Sequence, residues 1–171
     1  MRSKLNQSQF DTPLGKMLAI ADDKTLYLLE FTDRKNVQKE IDRLQSKGQS
    51  SIVEGETAPI SLIKQELAKY FAGKLSTFTT PIAPIGSPFQ LLVWETLRKI
   101  PFGQTLSYAG LAAAIGRPTA CRAVAQANGA NQLALIIPCH RVINQSGKLG
   151  GYAAGIDRKE QLLRLEKTFI L

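Results

Sequence analysis

The sequence predicts an α+β protein in which a small α/β domain precedes a mostly helical domain that contains a helix-turn-helix. Short apolar runs typical of strands occupy the first half of the chain, whereas helical periodicity dominates the second half. Between the halves lies the segment 79–88, whose prolines and glycine are typical of a linker or an extended crossover. We therefore expect domains at 1–85 and 86–171, because 171 residues suffice for two small cores.

In the first half, hydrophobic spacing assigns most of the chain to strands or helices. We expect strands at 16–21 and 25–31 with a turn at 22–23 between them. A polar helix at 34–47, a loop at 48–59 and an amphipathic helix at 60–71 should follow. The last helix rests on the helical spacing of four apolar residues, Ile60, Ile63, Leu67 and Phe71. Gly73 is expected to end it.

The second half begins and ends with helices that carry amino-terminal signals. Ser87 followed by Pro88 is typical of an N-cap and a first helical position. Four apolar residues of this helix are expected in the core: Phe89, Leu92, Val93 and Leu97. Near the carboxy terminus, Asp157 and Glu160 match a capping box. The helix that follows carries three leucines, Leu162, Leu163 and Leu165.

Between these helices, two short helices are expected to form the helix-turn-helix. The first runs from Ser107 to Ile115, the segment 116–118 breaks it, and the second covers 119–128. Small residues of this second helix are Ala120, Cys121, Ala123, Ala125 and Ala127, with Gly129 following it. Arg122 is its only charged residue. Small side chains permit a close approach either to a neighbouring helix or to a DNA minor groove, which is only about 6 Å wide.

The positive charge of the chain is concentrated in its second half. The net charge is +8, and residues 86–171 contain 10 Lys and Arg against 4 Asp and Glu. No acidic residue lies between Glu95 and Asp157. Six basic residues lie in that interval: Arg98, Lys99, Arg117, Arg122, Arg141 and Lys148. This basic field favours a polyanionic partner such as nucleic acid, and on charge alone a solubilising surface fits equally well.

Composition also excludes several classes of protein. No apolar run approaches the roughly 20 residues that span a bilayer, and the stretch MRSKLNQSQF lacks the apolar core of a signal peptide. The chain contains two cysteines and one histidine, too few for a disulfide framework or for a structural zinc site with about four ligands. We therefore expect a cytoplasmic protein in a reducing compartment, without a metal, a cofactor or a membrane partner.

The histidine directly follows a cysteine in the stretch IIPCHRV. A thiol is nucleophilic as the thiolate, and a neighbouring imidazole or cation stabilises that form. His140 and Arg141 are placed to supply both to Cys139, and the apolar run 133–137 would deliver the thiol to the floor of a pocket. A packing cysteine beside a surface histidine is the alternative, because adjacent side chains of an extended segment point to opposite sides. The lack of a second histidine disfavours a cysteine protease, and Cys121 fits packing better than reactivity.

Five motifs of the second half carry a resemblance to a known family. They are GSPFQLLVWETLRKIPFGQTLSY, GRPTACRAVAQANGAN, IIPCHRVI, SGKLGGYAAG and RKEQLLRLE, and the first half adds TPLGKM and ELAKYFAGK. With these motifs in this order, the chain resembles the O6-alkylguanine-DNA alkyltransferases (methylated-DNA–protein-cysteine methyltransferases). The resemblance implies a ribonuclease-H-like first domain and direct-reversal DNA repair. An alkyl group of O6-alkylguanine, or of O4-alkylthymine, in double-stranded DNA would pass irreversibly to a monomeric protein that acts once.

The resemblance also implies the catalytic residues. Cys139 would accept the alkyl group, and His140, linked through a water and held by Glu166, would remove the thiol proton. Tyr108 would donate a proton to the departing base. Asn131 would bridge the helix-turn-helix to the active-site segment.

For contacts to DNA, the resemblance implies that Arg122 takes the place of a flipped nucleotide in the base stack. Four further residues would contact DNA: Ser107, Thr119, Ala120 and Ala123. Three residues would line the pocket, Tyr152, Val142 and Ala153, and main-chain atoms near Cys139 and Val142 would read the edge of the guanine. A non-transferring protein that binds or senses lesions on the same scaffold is the alternative, although this chain retains the acceptor cysteine that such proteins replace.

Overall fold

The computed structural model describes residues 4–169, so residues 1–3 and 170–171 of the predicted domains lie outside the described part. The chain divides into two compact units, Met1–Pro84 and Ile85–Leu171. The first unit contains a sheet with two helices, and the second is mostly helical. The predicted α+β class is confirmed.

A four-stranded sheet forms the centre of the first unit. In chain order its strands are β1 (Lys4–Thr12), β2 (Gly15–Ala21), β3 (Leu26–Phe31) and β4 (Ser51–Glu54), and their order across the sheet is β3-β2-β1-β4. The tight connection between β1 and β2 ends at Gly15, whose φ of 126° favours glycine. Between β2 and β3, Asp22 Oδ1 accepts the backbone N–H groups of Lys24 and Thr25, which confirms the predicted turn.

The sequence pattern does not predict β1 or β4. The prediction of a loop at 48–59 is wrong for Ser51–Glu54, which form β4. Neither segment shows a regular alternation of apolar and polar residues. β4 runs parallel to β1, with Lys4 opposite Ser51 and Gln7 opposite Glu54. The backbone hydrogen bonds of this pairing create the strand, because strand formation depends more on neighbouring strands than on local propensity.

Two helices, α1 (Val37–Gly48) and α2 (Ala58–Phe71), complete the first unit. The predicted polar helix corresponds to α1, which buries Leu44 and starts later than expected because Asn36 before it is left-handed, with φ 68°. The predicted amphipathic helix corresponds to α2, which packs on β1 and β2. Its inward apolar face consists of Pro59, Ile60, Ile63, Leu67 and Tyr70.

A buried carboxylate fixes the segment that follows α2. The two oxygens of Glu66 accept the backbone N–H and the hydroxyl group of both Thr79 and Thr80. Directly after these threonines, residues 81–83 pair with Leu26 at the edge of β3. The segment expected to be a linker or an extended crossover is therefore an extended crossover in this part.

The second unit combines short helices with one small parallel strand pair. In chain order its elements are α3 (Pro88–Leu97), β5 (Leu106–Ser107), α4 (Tyr108–Ala114), α5 (Cys121–Gly129), a 3-10 turn (Cys139–Arg141), β6 (Val142–Ile143) and α6 (Ile156–Thr168). The helices α4 and α5 form the predicted helix-turn-helix. β5 and β6 pair in parallel, with Leu106 opposite Val142. Because α4 follows β5 directly and β6 follows the 3-10 turn, this pairing brings the start of α4 beside that turn.

One of the two predicted helix caps is confirmed and the other is wrong. Ser87 Oγ accepts the N–H of Gln90, whose side chain accepts the N–H of Ser87 in return. The capping box expected at Asp157 and Glu160 does not form, because α6 begins after Gly155. Asp157 lies inside the first turn instead, where its charge favours the positive end of the helix dipole.

The core of the second unit differs from the prediction at two positions of α3, because Phe89 is only half-buried and Leu92 is exposed. Val93 and Leu97 are buried as expected, whereas Leu92 is 41% exposed. Trp94 occupies the inner position, and its Nε1 donates to the carbonyl oxygen of Ala127 over 2.8 Å. A hydrogen-bonded partner for the indole N–H allows this large ring to be buried.

Glu66→Gln should weaken the first unit, and the loss should depend on pH. Burial alone would raise the pKa of Glu66, but the hydrogen bonds from Thr80 and Thr79 outweigh burial and lower the pKa below the ordinary value of 4.5. The stabilisation is therefore present above that value and is lost as the pH falls through the lowered pKa. In urea unfolding at neutral pH, we expect the variant to lose about 1–3 kcal/mol.

The difference between wild type and Glu66→Gln should narrow at acidic pH, where the wild-type carboxylate is protonated. Glu54→Gln is the control, because Glu54 lies on the same unit with an exposed side chain. Equal losses in the two variants, or a loss that does not change with pH, would contradict the role of the buried carboxylate.

Candidate active site

A buried segment delivers Cys139 to its position. All residues of 133–137 are buried, and Cys139 is 7% exposed. The backbone folds back on itself there, since the N–H of Ile137 donates to the carbonyl of Leu133 over 3.0 Å. Leu135 has a left-handed φ of 71°, a strained conformation for a bulky residue that the surrounding packing maintains. The predicted buried approach to the cysteine is confirmed.

The side-chain amide of Asn131 ties this segment to the thiol. Its Nδ2 donates to the carbonyl of Ile137 over 2.8 Å and to Cys139 Sγ over 3.3 Å. Its Oδ1 accepts the N–H of Leu133 over 2.9 Å. Asn131 lies just beyond α5, so these contacts link the helix-turn-helix to the cysteine segment. An N–H donor beside the sulfur stabilises negative charge that develops there.

Behind Cys139, one buried carboxylate contacts two basic side chains. Glu166 Oε2 lies 2.6 Å from His140 Nε2, and Glu166 Oε1 accepts from Arg141 Nε over 2.7 Å. Arg141 also donates from Nη2 to Glu166 Oε2 over 3.1 Å and from Nη1 to the carbonyl of Ile100 over 2.7 Å. A single position on α6 thereby orients the imidazole and neutralises the guanidinium.

Burial and charge determine the protonation of this group. Burial lowers the pKa of His140 against the opposing effect of Glu166, so the imidazole is neutral at neutral pH. Burial would raise the pKa of Glu166, but the hydrogen bond of His140 and the hydrogen bonds and charge of Arg141 outweigh burial and hold that pKa well below its usual range. With Glu166 ionised, His140 Nε2 carries the proton and Nδ1 keeps its lone pair. Among the described residues Nδ1 has no hydrogen-bond partner, so it is available as a base.

The place of Arg141 corrects one expectation from the charge pattern. The basic field between Glu95 and Asp157 includes Arg141, but its guanidinium is buried against Glu166 and lies 5.8 Å from the ring centroid of Phe102. Its charge balances Glu166 instead of facing a polyanion. Because an isolated buried carboxylate is costly, the contacts of His140 and Arg141 together keep Glu166 ionised.

Cys139 opens onto a cavity of about 350 Å³. Eight residues line it: Tyr108, Ala125, Asn128, Gly129, Cys139, Gly151, Tyr152 and Ala153. The predicted pocket residues Tyr152 and Ala153 belong to this lining. Val142 does not, because its side chain is fully buried. The volume lies within the range of small-molecule sites.

Tyr108 enters the cavity from the start of α4. Ser107 caps this helix by accepting the N–H of Gly110 over 2.9 Å, and the pairing of β5 with β6 places Tyr108 beside the cysteine turn. Burial raises the pKa of the Tyr108 phenol and the neighbouring Cys139 raises it further, whereas a hydrogen bond with Asn128 lowers it. The phenol therefore keeps its proton at neutral pH and is able to donate it.

Lys159 is a residue of the site that the motifs do not predict. Its side chain is fully buried, and Nζ donates to the carbonyls of Val142 and Gly151 over 2.6 and 3.0 Å. Nζ also lies 5.8 Å from the ring centroid of Tyr108. Burial lowers the pKa of Lys159 to about 8, although Cys139 opposes the shift. The cationic form of Lys159 would stabilise a thiolate.

The spacing along α6 contains the signal that could have identified this lysine. Lys159, Leu162 and Glu166 follow one another at intervals of three and four residues, and all three are buried. Two charged residues on the buried stripe of a helix are uncommon in a purely structural core, because burying a charge is costly.

Four of the five predicted DNA-contacting residues lie around the start of α5, whereas Ser107 is the N-cap of α4. Arg122 and Ala123 are exposed on the helix, whereas Thr119 and Ala120 precede it, so the helix begins later than expected. The inward face consists of Val124, Ala127 and Asn128. Ala127 therefore belongs to the core and not to an exposed face of small residues.

Two family models match the chain. Residues 6–84 match the ribonuclease-like domain of 6-O-methylguanine DNA methyltransferase, and residues 88–168 match its DNA binding domain. A methylated-DNA–protein-cysteine methyltransferase of Salmonella typhimurium is 40% identical over 170 residues, which cover 98% of this chain and 99% of the relative. A protein of the same name from Methanosarcina acetivorans is 42% identical over 157 residues, which cover 92% and 95%. The chain belongs to the 6-O-methylguanine DNA methyltransferase family.

Solved structures of this family resemble the chain along its length. A Mycobacterium tuberculosis O6-methylguanine methyltransferase is 36% identical, with a TM-score of 0.83, over 98% of this chain and 95% of the relative. The same kind of protein from that organism in complex with DNA is 37% identical, with a TM-score of 0.82, over 97% and 94%. The ribonuclease-like match and this likeness support the first-domain fold that the resemblance implies.

In residues 4–169, the structure holds no group of three or more His, Cys, Asp or Glu side chains arranged to hold a metal ion. Over the same residues, no helix is both long and apolar enough to cross a membrane.

Glu166→Gln should slow the reaction of Cys139 with a soluble alkylating reagent. The amide keeps the size of the side chain but removes the charge that orients His140 and stabilises its protonated form. We expect alkylation of Cys139 by iodoacetamide at neutral pH to become about tenfold slower, or about 1.4 kcal/mol. Peptide mass mapping measures this rate and separates Cys139 from Cys121.

Because Glu166→Gln leaves Arg141 without a counter-charge, it should also destabilise the protein by about 3–5 kcal/mol. The double variant Arg141→Met/Glu166→Gln removes both charges and should recover stability without recovering the Cys139 rate. Glu160→Gln is the control on the same helix, since Glu160 pairs with Arg164 at the surface. A wild-type Cys139 rate in Glu166→Gln would show that the buried pair does not activate the thiol.

Proposed function

We propose that the protein repairs alkylated DNA by moving an alkyl group from O6 of guanine, or from O4 of thymine, to Cys139. The observation that carries the proposal is the meeting of a thiol and a phenol, Cys139 and Tyr108, at one cavity, with the His140–Glu166 pair behind the thiol. Relatives named methylated-DNA–protein-cysteine methyltransferases and the DNA complex of a Mycobacterium tuberculosis relative support it. The protein would act as a monomer in the cytoplasm.

Activation of the thiol begins at the lone pair of His140. Nδ1 takes the Cys139 proton through a water, and the ionised Glu166 stabilises the imidazolium that forms. Asn131 Nδ2, which lies 3.3 Å from the sulfur, and the cationic Lys159 stabilise the thiolate. The sulfur then attacks the alkyl carbon in line with the bond to O6, so that the carbon–sulfur bond forms as the carbon–oxygen bond breaks.

Departure of the guanine needs a proton, because the cleaved oxygen leaves with a negative charge. The raised pKa of Tyr108, caused by burial and by Cys139, keeps its proton in place until that charge develops. The proton that His140 has gained replaces the one that Tyr108 gives up, so the protons balance. The thioether formed at Cys139 is not a leaving group for water, and each molecule therefore acts once.

A guanine in a duplex must leave the base stack to reach Cys139. The exposed face of α5 carries Arg122 beside the small residues Ala123 and Ala125, which permits a close approach to a minor groove. Arg122 would occupy the vacated position in the stack. Exposed basic residues around it would meet phosphates without reading the sequence.

Cys139→Ser should abolish transfer and leave binding of alkylated duplex DNA largely intact. A hydroxyl is a far weaker nucleophile than a thiol at neutral pH but has a similar size. Intact-protein mass spectrometry after incubation with a duplex containing O6-methylguanine should show one added methyl group on wild type and none on the variant.

Peptide mapping should place that methyl group on Cys139. A methyl group on Cys121 would overturn the assignment of the acceptor. Lesion binding by wild type without any gain of mass would show a non-transferring lesion-binding protein.

Arg122→Ala should impair repair of duplex DNA far more than transfer from free O6-methylguanine. The free base has no stack to leave, whereas flipping costs a few kcal/mol that an inserted side chain offsets. Single-turnover transfer from subsaturating duplex should fall about 10- to 100-fold, since each 1.4 kcal/mol is a factor of ten. Transfer from the free base should stay near wild type.

The control is Lys148→Ala, which removes one exposed positive charge from the same unit. It should weaken duplex repair slightly through the loss of one phosphate contact. If Arg122→Ala slows transfer from both substrates equally, Arg122 supports the pocket or the fold, and its role in flipping is wrong.

A further inference from the structure

Asn128 is a polar residue of the cavity to which neither the motifs nor the chemistry above assigns a role. It lies in the last turn of α5, is 4% exposed, and lines the cavity together with Tyr108 and Cys139. Its Nδ2 donates to the carbonyl oxygen of Cys139 over 3.3 Å. Its Oδ1 is buried and has no hydrogen-bond partner among the residues that the structure describes.

A buried amide oxygen without a partner costs about 1–3 kcal/mol. Such groups are rare in native proteins, and each one calls for an explanation, of which a catalytic role is one. The surroundings of Asn128 offer that explanation. Its amide contacts the main chain of the residue that carries the nucleophile, and Asn128 lines the same cavity as Tyr108.

Other contacts of Tyr108 restrict its ring without directing its hydroxyl proton. Gly150, with φ 72°, approaches so closely that a Cβ there would lie 3.2 Å from Tyr108 Cε2 and 3.3 Å from the hydroxyl oxygen. Lys159 Nζ lies 5.8 Å from the ring centroid, and an ammonium group has no acceptor for a hydroxyl proton. Asn128 provides both an amide donor and an amide acceptor.

We propose, on the basis of the function proposed above, that Asn128 is a positioning residue that couples the proton donor Tyr108 to the nucleophile Cys139. Its amide holds the hydroxyl of Tyr108 and the main chain of Cys139 in one arrangement. The position of the Tyr108 proton is therefore fixed relative to the Cys139 sulfur. Misplacement of the hydroxyl or of the sulfur relative to the alkylated guanine would slow the transfer.

Removal of the amide has a second effect, on the acidity of the phenol. Burial and the neighbouring Cys139 raise the pKa of Tyr108, and the hydrogen bond with Asn128 opposes that rise. Without Asn128 the phenol becomes a weaker acid and donates its proton less readily to the departing guanine.

A double-mutant cycle tests the coupling between Asn128 and Tyr108. Single-turnover transfer from a duplex containing O6-methylguanine is measured for wild type, Asn128→Ala, Tyr108→Phe and the double variant. We expect Asn128→Ala to slow transfer about tenfold when Tyr108 is present, or about 1.4 kcal/mol. It should have a much smaller effect once Tyr108→Phe has removed the hydroxyl. Equal slowing in both backgrounds would overturn the proposal.

Val124→Ala is the matched control for a merely structural effect. Val124 lies one turn earlier on the inward face of α5 and is fully buried, but it does not line the cavity. Any slowing that it causes should be equal with Tyr108 and with Tyr108→Phe. If Asn128→Ala behaves as this control does, Asn128 supports the helix and not the proton donor.

Titration of the phenol provides a measurement that does not depend on transfer. Ultraviolet titrations of wild type and Asn128→Ala, each compared with the same protein carrying Tyr108→Phe, isolate Tyr108 among the four tyrosines. We expect the titration midpoint of the Tyr108 phenol to rise in Asn128→Ala. Cys139 and Lys159, which also face this phenol, are the same residues in all of these proteins. An unchanged midpoint would overturn the contact. A raised midpoint in a protein that never gains a methyl group would instead overturn the proposed function, and with it the coupling to transfer.

Discussion

The buried carboxylate of Glu166 is the group on which the rest of the second unit depends. One charge on α6 orients His140 and neutralises Arg141, and Arg141 in turn reaches the carbonyl of Ile100 beyond α3. A helix, the cysteine turn and a loop are therefore joined by charged hydrogen bonds away from water. A buried charge that has lost its partner strongly destabilises a protein, whereas a paired one does not. The stability of the unit and the basicity of the imidazole therefore depend on the same contacts of Glu166.

Several features around Cys139 lower stability and persist nevertheless. Leu135 has a left-handed backbone, and His140 Nδ1 and Asn128 Oδ1 are buried without partners among the described residues. Each of them lies in or against the segment that presents the thiol. Strain and unsatisfied polar groups concentrated in one place are typical of a preorganised site, where the surrounding fold compensates for their cost. The amide of Asn131, with its donor and acceptor both engaged, supplies part of that compensation.

The sequence by itself determined the features that depend on neighbours within a few residues. The helix α2, the N-cap at Ser87 and the helix-turn-helix follow from spacing, capping and glycine or proline breaks, and all three are confirmed. The adjacency of Cys139 and His140, together with the motifs around them, led to the family and to the candidate site. Features that involve only neighbouring residues can be predicted from a sequence, because they do not depend on how distant segments contact one another.

Only the tertiary structure decided which polar groups turn inward and what they meet. Arg141 belonged to the basic field by its position in the chain, yet it faces Glu166, 25 residues away. Lys159 on α6 donates to the carbonyl of Val142 beside the cysteine turn, and Asn128 on α5 lines the cavity. β4 is a strand because β1 pairs with it. The physical reason is the same in each case. The burial of a polar group is favourable only when a partner from another segment satisfies it, and periodicity along one segment contains no information about that partner.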